Sequence, residues 1–120
     1  MKRKTRTITV NGKRYVWWNG FINYTTSLFL SPESDKTSTI SVDFTDVLHS
    51  GQFNMSVVIK KNGTERTVKI VEPAMSGLLL PYLQEQEAFI SRKNIVMDGV
   101  ELLKQMGYEV IEIEKGLYWW

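Results

Sequence analysis

The sequence predicts an α+β fold, a mostly antiparallel sheet of about six or seven strands with one or two helices packed on one face. Three observations carry that prediction. Two Asn-Gly pairs, Asn11-Gly12 and Asn62-Gly63, each separate runs of strand-forming residues. The first two-thirds of the chain alternates polar with apolar residues, and beyond Pro73 the period lengthens to that of a helix. Strands followed by helices is the order of an α+β domain. The strands divide into three hairpins and a C-terminal strand.

The first hairpin joins Thr7–Val10 to Lys13–Trp18. Asn-Gly suits a type I′ turn because both residues tolerate positive φ. A two-residue loop sets Val10 opposite Lys13 and Ile8 opposite Tyr15. Ile8, Val10, Tyr15 and Trp17 then share one face, and Thr7, Thr9, Arg14, Val16 and Trp18 share the other. A second hairpin is expected between Tyr24–Leu30 and Ser38–Phe44, joined by the polar Ser31–Thr37 loop. The third repeats the turn of the first, with Met55–Lys61 and Thr64–Glu72 on either side of Asn62-Gly63. Here Val57 faces Val68, and Lys60 faces Glu65 as an opposite-charge pair. The intervening segment 45–54 reads as irregular.

After Pro73, Ala74–Gln86 spaces Met75, Leu78, Leu79 and Tyr82 or Leu83 for one helical face, although Gly77 and Pro81 oppose it. Arg92–Met106 is the stronger helix by pattern. Ser91 offers an N-cap, Ile95, Val96, Gly99, Val100, Leu103 and Met106 form a stripe, and Gly107 supplies the stop. Tyr108–Glu114 returns to a strand period.

The 120 residues make one domain, with residues 1–5 expected as a mobile basic arm. The absence of cysteine excludes a disulfide framework, thiolate metal sites and a Cys nucleophile. A single histidine, His49, excludes a multi-His metal site. The basic opening is not followed by an apolar run, and Leu78-Leu79-Leu80 is far short of the ~20 residues of a spanning helix. The expectation is a cytoplasmic protein with no membrane association.

No phosphate-binding loop, dinucleotide fingerprint, nucleophile elbow or zincin helix is present. His49 lies near Asp46 and Ser50, but a triad is assembled from distant segments whose side chains converge, so a loop histidine is the plainer reading. Glu85 with Glu87, Glu109 with Glu112 and Glu114, and Glu33 with Asp35 sit on loops or polar faces where solvation accounts for them. No cofactor or metal is called for. An enzyme, using a carboxylate or His49, ranks third behind two binding functions.

Aromatics give the leading one. Neighbouring residues on a strand point to opposite faces, so Trp17-Trp18 and Trp119-Trp120 can each place only one ring in a one-sided core. Trp18, Tyr118, Trp119 and Trp120 are the candidate protein-binding residues, because Trp and Tyr dominate interface hot spots. The competing expectation is a C-terminal segment folded back to bury Trp119 and Trp120. Edge strands pairing between copies would add a homodimer.

Charge gives the alternative. Residues 1–14 hold six bases and no acid, whereas Glu85 to Glu114 hold seven acids and three bases. Lys2, Arg3, Lys4, Arg6, Lys13 and Arg14, with Trp18 stacking on bases, form a candidate nucleic-acid surface. The plainer reading of that arm is a solubilising terminus.

The run Thr7–Trp17, with its V-x-G-K-x-Y-x-W pattern, resembles the opening hairpin of small bacterial proteins in which strands and a late helix end in a Gly-aromatic step, here Gly107-Tyr108. The resemblance covers about a tenth of the chain. It implies a bacterial α+β protein and no particular site, since those proteins have no established function.

Overall fold

The structure is a computed structural model that describes residues 5–22, 25–45 and 52–117. Among them are eight strands and two helices. The strands are β1 (Arg6–Val10), β2 (Lys13–Ile22), β3 (Thr25–Pro32), β4 (Thr39–Thr45), β5 (Gln52–Lys61), β6 (Thr64–Lys69), β7 (Asn94–Asp98) and β8 (Glu109–Leu117). The helices are α1 (Pro73–Glu85) and α2 (Gly99–Gln105). The α+β class therefore holds, but the strands form two sheets rather than one.

The larger sheet runs β1-β2-β3-β4-β7 and the smaller β6-β5-β8. All pairings are antiparallel except β4 with β7. All three hairpins form, the first and third in the expected registers, with Ile8 opposite Tyr15, Val57 opposite Val68, and Lys60 opposite Glu65. Asn11, Gly12, Asn62 and Gly63 all have positive φ, as type I′ turns require. The third hairpin does not extend the first sheet. It lies against one face of it, where Val57, Ile59, Val68 and Ile70 reach 0–1% exposure.

That inner face of the larger sheet carries Tyr15, Trp17, Leu28, Leu30, Ile40, Val42 and Phe44, all at or below 2% exposure. Helix α1 packs beside β1 and β6, and α2 beside β4, β7 and β8. The buried apolar side chains of all these elements form one core. Burial at roughly 25 cal/mol per Å² makes this layer the main source of stability. Gln84 of α1 ties the helix to the first hairpin, donating from Nε2 to the Val10 carbonyl at 3.3 Å and to the Tyr15 hydroxyl at 3.0 Å.

The expected helix over Arg92–Met106 is wrong in its first half. Asn94–Asp98 is a strand that pairs with β4. The β-branched pair Ile95-Val96 favours a strand, and the uncovered edge of β4 supplies a partner that helical spacing cannot reveal. Ser91 is accordingly not the N-cap. Asp98 is, its Oδ1 accepting from the Val100 and Glu101 amides at 2.9 and 3.2 Å. The end of α2 is as expected, because Gly107 at φ 95 lets Tyr108 and Gly107 donate to the Leu103 and Lys104 carbonyls.

Candidate functional site

Packing on one side leaves the opposite face of the five-stranded sheet without a covering layer among the described residues. The registers dictate what that face presents. Trp18 lies opposite Phe29, Phe29 opposite Ser41, and Ser41 opposite Val96, so one row crosses β2, β3, β4 and β7. The neighbouring row runs Gly20, Ser27, Asp43 and Asp98, and on the other side Val16 pairs with Ser31 and Thr39 with Asn94.

Trp18 and Phe29 stack with ring centroids 5.4 Å apart and planes 10° from parallel. Gly20 makes room for this pair. A Cβ at Gly20 would lie 2.9 Å from the Phe29 ring, so the ring occupies space that any other residue would fill. Trp18 is half-buried, since Phe29 shields part of it, and the sequence-based expectation of an outward-facing Trp18 holds for its direction. Val96 is 69% exposed at the edge of the row.

Two open recesses flank Trp18. One of about 500 Å³ runs from Trp18, Gly20 and Phe29 past Ser41 to Asn94 and Val96. The other, about 460 Å³, is lined by Val16, Trp18, Ser31, Thr39, Lys36 and Thr5. Trp18 and Thr39 belong to both, so they form the partition between them. The polar groups on this face are largely engaged with one another. Asp43 Oδ1 accepts from the Ser27 hydroxyl at 2.8 Å and the Ser41 hydroxyl at 2.7 Å. Ser31 donates to the Ser38 carbonyl at 2.7 Å. One hydroxyl from β3 and one from its own strand therefore hold the Asp43 carboxylate in place.

The other sequence-based candidates separate. Arg6 lies opposite Trp17, with its guanidinium 5.5 Å from that ring, and the Lys13 ammonium is 5.8 Å from the Tyr15 ring. Both therefore accompany inner-face aromatics rather than Trp18. Arg14 is ion-paired through Nε to Glu33 at 3.2 Å. Lys2, Arg3, Lys4, His49, Tyr118, Trp119 and Trp120 lie outside the described residues. Glu85, Glu87, Glu109 and Glu112 are exposed and line neither recess.

Asp35 is in the loop after β3. Hydrogen bonds from the Thr37 and Ser91 hydroxyls hold its carboxyl below the usual aspartate range, with a smaller contribution from Arg92. Thr37 in turn accepts from the Arg92 amide at 3.0 Å. Those contacts tie two loops together. Among the described residues no three His, Asp or Glu side chains are grouped to hold a metal ion.

Sequence reasoning missed Phe29 and Gly20. Phe29 was legible as the odd member of Leu28-Phe29-Leu30, where alternation sends it away from the two leucines. Gly20, a glycine inside a strand, signals close approach of another group. Compared with known protein families, curated proteins and solved structures, the chain matches none.

Proposed function

We propose that this chain is a non-enzymatic binding module that docks another protein on the uncovered face of its five-stranded sheet, with Trp18 and Phe29 at the centre of the contact. The observation that carries the reading is the row Trp18, Phe29, Ser41 and Val96, a stacked aromatic pair and an exposed valine on a face that no other described element covers. Aromatic anchors surrounded by hydroxyl groups match the make-up of protein interfaces, where rigid rings supply area and a polar rim supplies register.

Charge on this face supports a protein over a nucleic acid. Arg6 and Lys13 sit with the inner aromatics, Arg14 is paired, and Asp43 and Asp98 face outward beside the row. Among the described residues Lys36 is the one base that lines either recess beside Trp18, and a surface tracking phosphates would need several. Tyr118, Trp119 and Trp120 are not required by this reading.

A photo-crosslinking residue placed at Thr39, between the two recesses, tests it in the native cell. The expected product is a crosslink to a protein that is absent when the probe sits at Thr67 on β6, and that is lost in Gly20→Ala. That substitution displaces the Phe29 ring without touching the core. Crosslinks to nucleic acid, or equal crosslinking from Thr39 and Thr67, would overturn the proposal.

A further inference from the structure

Among the described residues the two sheets leave four strands with one unpaired side, β1, β7, β6 and β8. Unpaired backbone groups on such strands are templates for further pairing, and charged side chains normally protect them. Three of the four are protected in this way. β1 begins with Arg6, β6 carries Glu65, Arg66 and Lys69, and β8 carries Glu109 and Glu112. β7 is different. Its sequence is Asn94-Ile95-Val96-Met97-Asp98, and its one charge, Asp98, is tied to the first amides of α2.

The pairing of β4 with β7 fixes which backbone groups of β7 are unused. Thr39 donates to the Lys93 carbonyl at 3.0 Å. In a parallel ladder alternate residues bond to a given neighbour, so Lys93, Ile95 and Met97 turn their backbone groups toward β4. Asn94, Val96 and Asp98 turn theirs outward.

We propose that β7 pairs antiparallel with β7 of a second copy about a two-fold axis through Val96, joining two five-stranded sheets into one of ten strands. The strand is complementary to itself in this register. Val96 meets the partner's Val96 as a hydrogen-bonded pair, each amide donating to the other carbonyl. Asn94 meets the partner's Asp98, so an amide faces a carboxylate and the outward Asp98 amide reaches the Asn94 carbonyl. On the inner face Ile95 meets the partner's Met97. A recess of about 190 Å³, lined by Met97, Asp98, Glu101, Leu102 and Gln105, sits at that point to receive the isoleucine. The half-buried state of Ile95 and Met97 and the 69% exposure of Val96 are then features of one copy awaiting another. The recess beside Trp18 also reaches Asn94 and Val96, so pairing makes it continuous across the axis.

Sedimentation of the full chain is the test. The expected species has twice the 13.9 kDa chain mass. Val96→Pro removes only an outward amide, which an edge strand tolerates, and is expected to weaken association at least about tenfold while the circular dichroism spectrum is kept. Val96→Lys, which sets two ammonium groups at the axis, is expected to give a monomer. Because the chain has no cysteine, Val96→Cys supplies a unique thiol. Opposed residues about 5.5 Å apart at Cα suit a disulfide, so mild oxidation is expected to link the copies, and Thr67→Cys is expected not to. A wild-type monomer at high concentration would overturn the proposal. So would a dimer unaffected by Val96→Pro and Val96→Lys, or equal linking through Thr67→Cys.

Discussion

At the scale of residues, three positions explain more of this structure than their chemistry suggests. Gly99 opens α2 directly against Phe44, and a Cβ there would lie 2.4 Å from the ring. Phe44 is fully buried, so the ring has little room to yield. Gly99→Ala is expected to destabilise by about 1–3 kcal/mol or more, measured by chemical denaturation. Gly20 makes the opposite use of the same freedom, admitting a half-buried ring that can move. Asp35 is the third. Its carboxyl is depressed by hydrogen bonds formed only in the folded chain, so its stabilising effect is complete above the unfolded-state pKa. The effect is lost as pH falls through the lower folded-state value. A carboxyl NMR titration is expected to place its midpoint below the usual aspartate range, and Thr37→Val is expected to move it upward.

At the scale of elements, β7 shows where reading from sequence stops. The residues Ile95, Val96, Gly99, Val100, Leu103 and Met106 fit a helical stripe, and half of that segment is a helix. What decides the other half is a partner 55 residues away, the edge of β4, which contributes nothing to local periodicity. Where the pairing partner lies across an Asn-Gly turn, as in the first and third hairpins, register and facing residues were both legible. The change from strand to helix rests on Asp98. Asp98→Ala is expected to cost about 1 kcal/mol, with Asp98→Asn restoring most of it, because an asparagine oxygen caps nearly as well. Amide hydrogen exchange over Val100–Leu103 gives a local readout of the same loss.

At the scale of the whole molecule, the second sheet and both helices share one side of the five-stranded sheet, and this asymmetry creates the candidate site. The face assignment of Tyr15 and Trp17 against Trp18 was legible from alternation alone. The charge pattern groups Arg6 with Trp18, but its pairing opposite Trp17 puts Arg6 on the inner face and separates the two. The Trp18–Phe29 pair was not legible, because it depends on β2 and β3 meeting in one register. The account's central claim is that Trp18 belongs to a binding face and Trp17 to the core, although they are neighbours in sequence. Unfolding free energies of Trp18→Ala and Trp17→Ala, measured with the Thr39 crosslink in the first variant, test it most directly. The account predicts a loss of about 1–2 kcal/mol for Trp18→Ala with the crosslink abolished, against about 3–5 kcal/mol for Trp17→Ala. Equal losses for the two tryptophans, or a crosslink that survives Trp18→Ala, would contradict it.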